Sequence, residues 1–144
     1  MPLFIRGRSS LIYVMIPDFT QENGEVLFNE PVARDIYRMR LHAPPIAGAI
    51  RPAQFIQIRT DPGPFPFLRR PFSALQVDRQ AGWVDILYDA IGPGTRKMAA
   101  AGPGQPFGLV GPLGLPFSPP VTDRLLLVAG GVGLVVWLIA SLVT

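Results

Sequence analysis

Cysteine is absent from the 144 residues. That excludes disulfides, thiolate zinc sites, cysteine nucleophiles and cysteine-ligated iron–sulfur clusters within this polypeptide. Histidine is scarce too: His42 stands alone in a strand-like run, where a structural role is expected because catalysis and metal binding need partners. Lys97 is the only lysine, so the formal charge of +3 rests on arginines scattered from Arg6 to Arg124. The basic residues form no cluster longer than Arg69-Arg70 or Arg96-Lys97, and no nucleic-acid partner is expected despite a pI of about 10.0. No paired carboxylates at catalytic spacing, Ser-His-Asp arrangement or metal-ligand cluster is present, so no catalytic side chain and no metal ligand is expected.

What the chain does contain is apolar material, 49% of its residues against 16% charged, enough to supply a buried core. Seventeen prolines and fifteen glycines oppose long helices and suit short strands joined by turns. Residues 1–24 hold one short apolar run, Leu11 to Ile16, too short for a signal-peptide core and read as an N-terminal extension. From Val26 the pattern becomes strand-like. Strands are expected at Val26–Asn29, Ile36–Leu41, Gln54–Arg59, Pro71–Val77, Trp83–Tyr88 and around Phe107–Val110. In the second, Tyr37, Met39 and Leu41 fall on one face and Arg38 and Arg40 on the other. Asp61 to Pro64 reads as a turn and Asp78 to Gly82 as a hairpin loop. One short helix is expected over Thr95 to Ala101, with Thr95 as N-cap and Gly102 as the stop. The fold class expected is mainly β: a six-stranded antiparallel Greek-key barrel with one short helix, followed by the start of an α/β nucleotide-binding domain.

Arg70-Pro71-Phe72-Ser73 sets a guanidinium, a rigid bend, an aromatic ring and a hydroxyl at the start of a strand. Arginine binds phosphate oxygens through a planar fork, whereas an ammonium is a point charge. The ring can lie on a flat heterocycle and the hydroxyl can bond a phosphate or a ring nitrogen. In isolation such a tetrad reads more readily as a surface arginine beside a core phenylalanine. Gly92-Pro93-Gly94-Thr95 follows just before the short helix, and offers backbone N–H groups and a close approach to an anion. Two phosphate-suited elements in one small barrel point to a dinucleotide.

Arg69-Arg70-Pro71-Phe72-Ser73, Ile86-Leu87-Tyr88, Gly92-Pro93-Gly94-Thr95 and Gly111-Pro112-Leu113-Gly114 with Phe117 resemble, in order and spacing, the ferredoxin-reductase-type flavoproteins. The likeness covers Val26 to Gly133 and is strongest to the branch that forms the electron-transfer subunits of dihydroorotate dehydrogenase B. That branch shares Asp35-Ile36-Tyr37-Arg38 and the doubled arginine.

The resemblance implies an FAD-binding barrel over 25–120, with FAD rather than FMN as cofactor, passing electrons from NAD(P)H onward within a flavin-dependent oxidoreductase of pyrimidine biosynthesis. Arg70, Pro71, Phe72 and Ser73 would contact flavin and pyrophosphate. Tyr88, Asp89 and Ala90 would line the cofactor, and Gly94 and Thr95 would hold phosphate. A catalytic dehydrogenase subunit or a nicotinamide-binding domain is the implied partner, and the cytoplasm the implied location. Two positions depart from the family pattern. Ala53 replaces a glycine, so no positive φ is expected there; Asp89 replaces a basic residue and cannot bind phosphate through its side chain.

Leu125 to Gly133 resembles the first strand and glycine turn of a nicotinamide-binding domain. Residues 121–144 are therefore read as a fragment of one, without the family's iron–sulfur segment. The competing reading takes 125–144, free of charge, as a membrane-spanning helix. It pairs with an alternative function: a non-catalytic barrel acting as a binding or membrane-attached assembly module.

Overall fold

The structure, a computed structural model, describes residues 3–6, 11–14, 18–60, 63 and 65–117. A hairpin of β1 (Leu3–Arg6) and β2 (Leu11–Val14) forms a two-stranded antiparallel sheet. The remaining strands are β3 (Thr20–Ala33), β4 (Ile36–His42), β5 (Phe55–Arg59), β6 (Arg70–Ser73), β7 (Gln76–Asp78), β8 (Trp83–Asp89) and β9 (Pro106–Leu113). They make one seven-stranded sheet in the order β6-β5-β9-β3-β4-β8-β7, antiparallel throughout. β6 and β7 lie at opposite ends of that order, yet only Ala74 and Leu75 separate them in sequence. The sheet must therefore curl until its edges meet, giving the expected mainly-β, barrel-like body.

Period-two alternation fills the interior. Met39 and Leu41 on β4, Ile56 and Ile58 on β5, Val84 and Ile86 on β8, and Phe107 and Leu109 on β9 are all buried in one core. Each large aliphatic removed from water contributes about 1.5–3 kcal/mol. The outer face carries an ion cluster: Asp85 is fully buried beneath Arg38 and Arg40, with Arg40 Nε 2.7 Å from Asp85 Oδ1. Arg40 also lies 3.4 Å above the Trp83 ring centre, so aromatic faces and a carboxylate jointly hold its charge.

Several boundaries differ from the sequence expectation, each for a physical reason. β3 begins at Thr20 and pairs residues 20–25 with β9; its first half is too polar to alternate, and Gly24 lies tight against Leu109 where a side chain would clash. Pro71–Val77 is two strands, because the chain leaves β5 after Ser73 and joins β8 at Gln76. Pro71 is tolerated because β6 is an edge strand. The last strand runs longer than expected, to Leu113.

A first helix, α1 (Pro44–Ala49), was not expected, since Pro44-Pro45 reads as a breaker although proline is accepted in a helix's first turn. The second, α2 (Pro93–Ala99), starts two residues early: Gly92 is its N-cap and Thr95 its third residue, and the C-cap is Ala100 rather than Gly102. Gly82, at φ +72°, packs under Pro44 and closes the hairpin loop as expected. Ala53 contradicts its expectation, with φ of 69° in the left-handed region. The turn Arg51–Gln54 is closed by Gln54 N–H donating to the Arg51 carbonyl, and so retains a glycine-like backbone without a glycine.

Only Gly63 of the expected Asp61–Pro64 turn is described, and both readings of 121–144 lie outside the described residues. Among the described residues no helix is long and apolar enough to cross a membrane.

Candidate functional site

β6 carries the arginine–proline–phenylalanine–serine tetrad along the sheet edge, in register with β5: Phe55 opposite Ser73, Ile56 opposite Phe72, Ile58 opposite Arg70. Ala53, Phe55, Pro71, Phe72 and Ser73 line an open cleft of about 380 Å³. Phe72 is half-buried, with its ring edge-on to Tyr88 at 5.9 Å between centres. A flat ring entering the cleft meets aromatic carbon from Phe55 and Phe72 and a hydroxyl from Ser73.

The phosphate end of the candidate site is built around Gly94. A Cβ there would sit 2.9 Å from Thr60 Oγ1, 3.4 Å from Pro66 Cγ and 3.5 Å from Arg70 Nε. Only glycine lets α2 come this close to β5 and β6 without displacement. Thr60 Oγ1 is the sole buried side-chain nitrogen or oxygen without a partner among the described residues. An unpaired buried hydroxyl costs about 1–3 kcal/mol, so a ligand acceptor at this point would relieve a penalty. Arg70 donates from Nη1 to the Leu68 carbonyl at 2.6 Å, which anchors its guanidinium beside Gly94. Arg69, just ahead of the strand, donates instead to the Gly108 carbonyl at 2.6 Å.

The other expected site residues have defined places. Thr95 Oγ1 accepts from Gly92 N–H at 3.1 Å and faces its carbonyl at 3.3 Å, holding the turn into α2. Tyr88 is buried, stacks on Tyr37 at 5.8 Å and donates its hydroxyl to Asn29 Oδ1 at 2.9 Å. Burial pushes its pKa well above the usual tyrosine value, against the opposing pull of Asn29. Asp89 ends β8 opposite Ile36, and Ala90 N–H donates to the Asp35 carbonyl at 2.8 Å. The fold thus brings Arg70–Ser73, Gly94 and the Tyr88 ring together. No hydrogen bond among the described residues links Asp89 or Ala90 to that group.

Thr60, Phe55 and Pro66 were missed. For Thr60 a signal existed: Ile56, Ile58 and Thr60 share one parity, which puts its hydroxyl on the buried side.

The curled antiparallel sheet and the edge-strand tetrad define the class: a ferredoxin-reductase-type FAD-binding-domain fold. Its relatives by sequence are the electron-transfer subunits of dihydroorotate dehydrogenase B (NAD(+)). That of Desulforamulus reducens is 35% identical over 112 residues, spanning 77% of this chain and 43% of the relative. That of Fusobacterium nucleatum is 35% identical over 115 residues, spanning 78% and 44%. The chain therefore spans less than half the length of these relatives.

Among solved structures, an NADH-dependent reduced ferredoxin-NADP oxidoreductase matches with a TM-score of 0.61 at 24% identity, over 66% of this chain and 34% of that one. The ferredoxin reductase of carbazole 1,9a-dioxygenase matches with a TM-score of 0.61 at 20% identity, over 78% and 34%. No family model matches the chain.

Proposed function

We propose that the chain is the FAD-binding electron-transfer module of an NAD(P)H-dependent oxidoreductase, serving a dihydroorotate dehydrogenase in pyrimidine biosynthesis. The observation that carries the reading is the cradle at Gly94, where a missing side chain, an unpaired buried hydroxyl on Thr60 and the Arg70 guanidinium converge. Those groups suit a pyrophosphate, and the adjoining cleft suits the ring that the pyrophosphate would tether.

In this reading Arg70 and Thr60 hold the pyrophosphate against the Gly94 backbone. Phe55 and Phe72 pack on the flavin ring and keep water from it. Ser73 offers its hydroxyl to the ring edge, and Tyr88 backs Phe72 from the core. Bound FAD supplies stepwise one- and two-electron exchange between donor and acceptor.

Partner contact is supported by apolar side chains left in water beside the tetrad, with Phe67 80% and Leu68 68% exposed. Such exposure favours a covering protein surface, and the reading assigns it to a catalytic subunit. The run Leu125 to Gly133 supports a nicotinamide-binding segment following the barrel.

Arg70→Ala tests the assignment. Loss of a charge-assisted hydrogen bond is worth about 1.5–3 kcal/mol, so FAD affinity should fall roughly ten- to a hundredfold while the circular dichroism spectrum is unchanged. Unaltered FAD affinity would refute it.

A further inference from the structure

A polar side chain at an inward position of β3 ties the two ends of the proposed flavin site together. Asn29 pairs with Met39 on β4 and so shares the sheet face on which Met39 is fully buried. Its carboxamide uses both ends. Nδ2 donates to the Met98 carbonyl at 2.8 Å and the Ala101 carbonyl at 3.0 Å, with the Ala99 carbonyl further off at 3.4 Å. Oδ1 accepts from the Tyr88 hydroxyl at 2.9 Å. Backbone carbonyl oxygens accept and never donate, so one orientation of the amide serves both partners.

Each partner leads to a different half of the site. Tyr88 meets Phe72 edge-on at 5.9 Å between ring centres, and Phe72 lines the cleft assigned to the ring. Met98 lies four residues after Gly94 in α2, about 6 Å along a helix, and Gly94 is the point at which α2 approaches Arg70. A helix of seven residues does not hold its own shape in water. The anchor at its C-terminal end therefore sets where its first turn lies. One amide thus joins the wall behind the ring to the turn at the phosphates.

We propose that Asn29 is a positioning residue that fixes the spacing between these halves, and with it the preference of the site for a dinucleotide that spans both over a ligand that fills either one. The inference rests on the flavin reading. Asn29 touches neither half of the ligand and acts through Tyr88 and α2. A ligand tethered at two points gains from the second contact only when the points are held at a matching separation. A ligand that fills one half is indifferent to that separation.

The test is made on the full chain with Asn29→Ala and Tyr88→Phe, each titrated with FAD, riboflavin and ADP. Asn29→Ala should weaken FAD binding roughly tenfold or more, while riboflavin and ADP each change by less than about twofold. Tyr88→Phe keeps a ring against Phe72 and cuts the link at one bond. It should weaken FAD binding about threefold or more, again with riboflavin and ADP nearly unchanged. Because Asn29→Ala removes every bond of the amide, Tyr88→Phe decides if that variant fails to fold. A merely structural loss would leave the ratios of the three affinities unaltered in the protein that remains folded. Unchanged FAD affinity, or a fall in FAD affinity matched by riboflavin or by ADP, overturns the proposal. The parent chain scores the flavin reading separately: a parent that takes up no FAD overturns both, whereas a parent that binds FAD with the same affinity ratios as its variants overturns this one alone.

Discussion

Ala53 sits at φ 69°, a region that costs an L-residue about 1–2 kcal/mol. Glycine there relieves the strain but loses about 0.4–1 kcal/mol through the freer unfolded chain. Ala53→Gly should therefore stabilise the protein by up to about 1 kcal/mol in urea denaturation, whereas a lower midpoint would mean that the turn is unstrained. The sequence could not disclose this, because alanine in place of glycine reads locally as relief from the unusual backbone. The requirement comes from the chain's entry into β5. Glu22 presents the opposite situation, a carboxylate whose partner is visible only in three dimensions. Burial raises its pKa, against the opposing effects of the Ile46 N–H bond and His42. An acid whose pKa is raised on folding lends stability below its unfolded pKa, and that stability is lost as pH rises through the folded value. Glu22→Gln retains the bonding oxygen without the charge. It should be more stable than the parent at neutral pH and equal to it near about pH 3; a gap that widens on acidification would contradict this.

At the scale of elements, α2 is too short to hold itself and is fastened at its end by one side chain. Asn29 Nδ2 donates to the Met98 carbonyl at 2.8 Å and the Ala101 carbonyl at 3.0 Å, while its Oδ1 accepts from Tyr88. Removing Asn29 orphans both the helix end and a buried hydroxyl. Asn29→Ala should cost about 2–3 kcal/mol, and adding Tyr88→Phe should recover part of that loss in a double-mutant cycle. Strict additivity of the two changes would show that the pair is not coupled. The helix itself was legible from Thr95 and the alanines before Gly102, although it starts two residues earlier; its fastening was not, since Asn29 lies far away in sequence on β3. The strands β4, β5 and β8 were legible because their interior faces alternate cleanly. The first half of β3 was not, because the polar Glu22 and the bare Gly24 take its inward positions in place of apolar side chains. Likewise Pro71 to Val77 reads as one strand, and its division depends on which neighbour each half meets when the sheet curls.

Closure of the sheet is what assembles the candidate site in the molecule as a whole. Curling brings Phe72 on β6 against Tyr88 on β8 and sets Arg70 beside Gly94 on α2, joining pieces that the sheet order separates. The tetrad and the glycine turn were readable as motifs. Their meeting point at Thr60 belongs to the closed fold. Arg69 and Arg70 likewise take different partners, the Gly108 and Leu68 carbonyls, a division that the written pair conceals. If the cradle holds pyrophosphate, most of the binding energy must come from that half of the cofactor. The most direct measurement is a fluorescence titration of the folded chain with FAD and, in parallel, with riboflavin, which has the ring but no phosphate. FAD should saturate a single site and bind roughly a hundredfold or more tightly than riboflavin, as expected for two or more charge-assisted bonds. Equal affinities for the two, or a folded chain that takes up no FAD, would contradict the account.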